Sequence, residues 1–269
     1  MPATQRMPGD YLVQFGEQLK VVCRDIAHVD LRDRNLYLIW SLYLADESGC
    51  IHGLQYRSLD LVAQEYLTSI GAWEGRGPAI LLNDESLAKV VSRSTPPAWD
   101  DEQRRNRFED LCTAIALHEL AHVADDGFSR GPVPPPRIVA QHKECVMNCI
   151  SAEASAEDLD DAARKCEWIC HSDRWVRASL HIHHRAVKYG HWPRVFFTPH
   201  AMANNAQYGL SDILAYDGAI GDEPSRRIDD SLTDILASEP PAAFTELFKS
   251  DEARRSALIT SQISANVAA

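Results

Sequence analysis

The chain has 269 residues, 45% of them apolar and 25% charged, enough to bury a sizeable core and too long for a disulfide-stapled mini-protein. A formal net charge of −12 makes a poor electrostatic footprint for nucleic acid, which is gripped by clustered Lys and Arg. No apolar run reaches membrane-span length, and the first twenty residues lack the apolar core of a secretory signal, so the expectation is a cytoplasmic protein away from membranes.

In chain order, Tyr11 to Cys23 reads as a helix, and Leu36 to Ala45 fits either strand or helix. Asp60 to Ile70 reads as a helix stopped by Gly71, and Ala79 to Asn83 as a short strand, buried or at an edge. Asp100 to about Ala124 is the clearest helix: it has acidic residues at its start, apolar residues at helical spacing and Gly127 beyond its end. A proline-rich stretch, Gly131 to Pro136, breaks the chain before two cysteine-bearing segments, 142–151 and 157–170. A further helix runs from Ser172 to about Lys188. From Ser211 the sequence turns acidic and is broken by Gly218, Gly221, Pro224 and Pro240-Pro241. The expected division is a domain over 1–210 and a tail over 211–269, either a helical appendage or partly disordered.

His118-Glu119-Leu120-Ala121-His122 lies inside the clearest helix. A separation of four advances about 400° around the axis, so both imidazoles project from one face and can share a metal ion. Glu119, offset by one residue, reaches a metal-bound water without ligating, the position a general base needs. Imidazole donors suit zinc, and a catalytic zinc site takes three protein ligands plus an open water position. Two of the three are local here. Asp125, seven residues after His118, lies on nearly the same face and suits a carboxylate that accepts from a ligand N–H or one that ends the helix in water.

The HExxH helix followed by His171, Ser172 and Trp175 resembles SprT-like zincins, whose third histidine opens a His-Gly-x-x-Phe segment. Ser172 stands where that family has Gly, Trp175 where it has Phe, and the separation from His122 is longer. The resemblance implies an α+β zincin-like domain with a small sheet, the HExxH helix and a following helical subdomain. It also implies a Zn2+ cofactor held by His118, His122 and His171, and a metallopeptidase acting on protein or peptide substrates with Glu119 as general base. Gluzincins are the rival. Glu153 opens a Glu-x-x-x-Glu segment that looks like the thermolysin ligand segment. The run His122-Val123-Ala124-Asp125-Asp126 is similar to that in anthrax lethal factor, which brings in the distant Glu167. Metzincins fit poorly, because Asp125 and Phe128 stand where Gly and His belong.

Cys145 and Cys149, and Cys166 and Cys170, pair two cysteines on one face of each of two helical segments. In an antiparallel hairpin over 142–171, Cys145 faces Cys170 and Cys149 faces Cys166. Two disulfides, a four-thiolate structural zinc and reduced core thiols all fit the pattern. Cys23, Cys50 and Cys112 are scattered, with apolar packing as their expected role. His181 and Tyr189, downstream of His171, are candidates for the donor that stabilises an oxyanion. The strand at Ala79 to Asn83 is a candidate for pairing with an extended substrate. Two other readings stay open: a non-catalytic binding or structural protein on the same scaffold, and SprT-like action on DNA-associated proteins.

Overall fold

The computed structural model describes residues 9–31, 35–40, 53–55, 67–74, 77–125, 127–128, 172–191 and 210–267. The elements are α1 (Gly9–Ile26), α2 (His28–Leu31), β1 (Tyr37–Trp40), β2 (Gly53–Gln55), β3 (Ala79–Leu82), α3 (Asp84–Ser94), α4 (Asp101–Asp125) and α5 (Asp173–Lys188). Four helices follow: α6 (Leu210–Ile220), α7 (Glu223–Arg226), α8 (Leu232–Ala237) and α9 (Ala242–Val267). Helices predominate over one small mixed sheet, an α+β arrangement. Among the described residues no helix is long and apolar enough to cross a membrane. The cysteine segments over 142–171, His171, Glu153, Glu167 and Cys50 lie outside the described residues.

The sheet order is β1-β3-β2, with β1 parallel and β2 antiparallel to β3. All four residues of β3 are buried, which is what Ala-Ile-Leu-Leu, apolar on both faces, requires of a central strand. Ile80 and Leu82 point into the main core, whereas Ala79 and Leu81 join Ile39, Leu67 and Trp73 on the opposite face. With a neighbour on each side, β3 has no edge to offer, so the expectation that it pairs with an extended substrate is overturned.

Helix α1 buries Leu12, Phe15, Leu19, Cys23 and Ile26 along one stripe at helical spacing. Gly16 lets β1 come close: a β-carbon there would sit 2.9 Å from the Trp40 Nε1. Trp40 uses that approach to donate its indole N–H to the Leu12 carbonyl at 2.8 Å, and it packs with Phe15 and Phe108. One interlocked aromatic group thus joins α1, the sheet and α4.

Helix α4 begins with a capping box: Asp100 accepts from the Gln103 N–H at 2.8 Å and Gln103 accepts from the Asp100 N–H at 3.0 Å. From Phe108 to Ala124 it is buried almost all round, as befits a central helix, and it packs on α1, α3, α5, α8 and the sheet. It ends in a Schellman motif at Gly127, whose φ of +68° suits a residue without a β-carbon. There Phe128 donates to the Val123 carbonyl and Gly127 to that of Ala124.

The segment from 211 onward reads in sequence as an acidic tail, yet Ile213, Tyr216, Ile220, Leu232, Ile235, Leu236 and Phe244 belong to the same core cluster as α4 and α5. Asp30 ties it across the molecule. Its buried carboxylate accepts from the Leu232 N–H at 2.7 Å, the Thr233 N–H at 3.0 Å and the Thr233 hydroxyl at 2.7 Å, capping α8 from α2. Arg185, also buried, donates to the carbonyls of Ile26 at 2.9 Å and Asp230 at 2.6 Å. Burial disfavours its charge, and Asp30 heads the carboxylates that oppose that effect. Asp30→Ala removes the cap and leaves buried donors unmet; urea unfolding should register a loss of about 3 kcal/mol. Asp30→Asn keeps one acceptor oxygen but turns an amide NH2 toward a donor that Asp30 now satisfies, so it should lose nearly as much.

Candidate metal centre

His118, Glu119 and His122 sit on the last two turns of α4, inside its most buried stretch. His118 is 4% and Glu119 5% exposed, while His122 is half-buried. The two imidazole rings lie on one face of the helix with centroids 5.0 Å apart and planes inclined at 66°. Two imidazoles bound to one tetrahedral zinc at ordinary Zn–N lengths have centroids about 5 Å apart, the separation seen here. Glu119 Oε1 lies 4.0 Å from His118 Nε2, beside the ring nitrogen and beyond hydrogen-bonding distance.

The first turn of α5 covers this face. Trp175, fully buried, sets its indole against both imidazoles, 4.9 Å from the His118 ring and 5.3 Å from that of His122. Ser172 caps α5 by accepting from the Trp175 N–H at 3.1 Å, and its own hydroxyl donates to Asp125 Oδ2 at 3.0 Å. Arg174 donates from Nε to Asp125 Oδ1 at 2.9 Å. Both carboxylate oxygens of Asp125 therefore serve the junction of α4 and α5, and neither is directed at a histidine N–H by any of these contacts.

The two candidate oxyanion donors lie elsewhere on α5. His181 is six residues after Trp175, about 240° further round the helix, and is buried against α7. Its Nε2 is 3.7 Å from Glu223 Oε1, too far for a hydrogen bond, and Glu223 is held by a buried ion pair with Arg177. Burial pushes the His181 ring below its usual pKa, with Glu223 opposing and Arg185 and Arg177 assisting. Burial pushes Glu223 upward, but His181 and Arg177 outweigh it and hold the carboxyl at about 2. Tyr189 is the C-cap of α5, about 21 Å along the axis from Trp175. It meets the edge of the His28 ring and reaches Asp229 at 3.5 Å. Of the downstream histidines, His184 and His191 pair with Asp217 and Asp25 at 2.8 and 2.7 Å.

Cys23 and Cys112 are buried, free thiols. Burial pushes Cys23 up to about 12, and burial with the charges of Asp84 and Glu109 raises Cys112 well above its ordinary range. Both are inert packing groups. Among the described residues no three His, Cys, Asp or Glu side chains converge as a ligand set. His118 and His122 are brought together; His171, Glu153 and Glu167 fall outside. Sequence reasoning missed Trp175 as the residue touching both imidazoles, although a helix beginning at Ser172 places it one turn in. Compared with known protein families, with curated proteins and with solved structures, the chain matches none.

His183, near Asp217 and His184, is lowered to about 4, first by burial and then by His184. A histidine with a depressed folded pKa takes up its proton more readily when unfolded, so it destabilises the fold as pH drops below about 6.5, with the full cost reached near pH 4. The cost is about 3 kcal/mol. His181 acts in the same direction, whereas the Glu223 contribution is intact above pH 4.5 and lost only toward pH 2. Urea midpoints measured from pH 7.5 to 4.5 should fall, and His183→Asn should flatten that slope.

Proposed function

We propose that the chain is a zinc-dependent metallopeptidase of zincin type, with His118 and His122 as metal ligands and Glu119 as general base. The observation that carries this reading is the 5.0 Å separation of the two imidazoles, on one face of a buried helix with a carboxylate adjacent. His171 completes the ligand set. It directly precedes Ser172, whose hydroxyl bonds Asp125 one turn beyond His122, and consecutive Cα atoms are about 3.8 Å apart. Its adjacency in sequence to the cap of α5, together with the resemblance to SprT-like zincins, supports His171 ahead of Glu153 and Glu167.

A zinc ion bound there supplies Lewis acidity and a water of lowered pKa. Glu119 accepts the proton of the attacking water and delivers it to the departing amine nitrogen. The low exposure of Glu119 keeps bulk water from its carboxylate and strengthens its interaction with developing charge. Trp175 holds both imidazoles in orientation. His181 and Tyr189 have no part in this mechanism, given their positions on α5.

One observation favours a second reading, a non-catalytic protein that keeps the ion for stability: the indole of Trp175 covers both histidines and His118 is almost wholly buried. The two readings part on Glu119→Gln. In a metallopeptidase that variant retains stoichiometric zinc and loses hydrolysis of a peptide library by about 10²–10⁴-fold; in a structural protein there is no turnover to lose, and chelation lowers the Tm. Metal analysis of His118→Ala, His122→Ala and His171→Ala should show zinc lost in each. Zinc retained by His171→Ala and lost from Glu153→Ala or Glu167→Ala reassigns the third ligand.

A further inference from the structure

We infer that Trp175 is a positioning residue of the metal centre: its indole holds the His118 and His122 imidazoles in their binding arrangement before any ion arrives, and so sets the affinity of the pair. The inference rests on the zinc reading above and deepens it. Three rings meet at the end of α4. The indole centroid lies 4.9 Å from that of His118 and 5.3 Å from that of His122, and the two imidazoles are 5.0 Å apart. Each ring therefore touches the other two. The indole plane is inclined at 60° to the His118 ring and 36° to the His122 ring, and separations this short suit edge-on and tilted aromatic pairs. In such a triangle no ring turns far about its χ2 without meeting another.

The indole is itself held in place. Trp175 is wholly buried, its backbone N–H donates to the Ser172 hydroxyl at 3.1 Å, and its carbonyl accepts from the Ser179 hydroxyl at 3.0 Å. Val176, Arg177 and Ala178 beside it are buried too, and Arg177 is ion-paired with Glu223 of α7, which fixes the helix that carries the indole. His122, by contrast, is only half-buried. An imidazole on a helix has about two accessible χ1 wells and two χ2 orientations, so an unbraced pair has roughly sixteen combinations. With one of them competent to share an ion, apparent affinity falls by that fraction, about sixteenfold at most. Contacts that outlast the indole lower this ceiling.

The test is zinc affinity of the full chain, measured by competition with a chromophoric chelator, beside the Tm and the histidine-ring NMR signals of the metal-free protein. Trp175→Met fills much of the space with a flexible chain; it should weaken zinc binding about tenfold and average the ring signals of His118 and His122. Trp175→Phe, a smaller but rigid ring, should recover part of this and bind about threefold more weakly than the parent. Phe244→Leu, which thins the core beside Tyr216, should lower Tm and leave zinc affinity within twofold. Affinity that follows Tm across the three variants overturns the positioning role. So does affinity within twofold of the parent in whichever Trp175 variants fold; in both cases zinc lost from His118→Ala leaves the metal site standing. A parent chain that takes up no zinc overturns both.

Discussion

The contact on which the rest of the structure depends is the packing of the first turn of α5 against the last turns of α4. Two imidazoles and a carboxylate are awkward to bury, since each needs polar company that an apolar core does not provide. Trp175 resolves part of the difficulty by packing its polarizable indole against both rings, edge-on or tilted, and Asp125, Ser172 and Arg174 lock the two helices where the indole meets them. Once that crossing is set, α8 is drawn in by Arg174, and α7 is drawn in by Arg177. The sheet and α1 support α4 from other sides through Phe15, Trp40 and Phe108.

The C-terminal helices are fastened by buried charge as well as by apolar area. Arg177 and Glu223 form an ion pair with both side chains 3% exposed, and Arg177 also donates to the Ser238 carbonyl at 2.7 Å. Such pairs add little stability over an apolar substitute, because desolvation cancels much of the attraction, yet removing one partner leaves a charge stranded. Their value here is geometric. An apolar surface tolerates sliding, whereas a guanidinium shared among a carboxylate and carbonyls permits one placement of α7 and the α8–α9 connection on α5.

Much of this was legible in the sequence. Acidic residues and Gly127 bounded α4, and the run from Ser172 to about Lys188 bounded α5, each to within a residue or two, and the HExxH spacing put His118 and His122 on one face of a buried helix. Strand order was harder, although four consecutive apolar residues from Ala79 to Leu82 are the mark of a strand covered on both faces. His181 and Tyr189 stand out in the sequence by nearness along the chain, which leaves out the helical turn: 240° of rotation or fourteen residues of rise separates them from Trp175. The tail concealed most. Its composition is acidic, and the partners that fold it, Asp30, Arg177 and Arg185, lie far upstream where no local pattern points to them.

Asp30 caps Leu232 across a separation of 202 residues. At ordinary synthesis rates a ribosome takes roughly 10–40 s to extend a chain over that distance. Throughout that interval the carboxylate that belongs inside the protein has no helix to cap, and from the time α4 is made the hydrophobic flank that α8 will cover stays open. Long-range closure of this kind also slows the final step of folding. The nascent chain is therefore exposed to aggregation and to proteases for far longer than its stability when finished would suggest, and a holdase or a cool growth temperature during expression protects this interval above all.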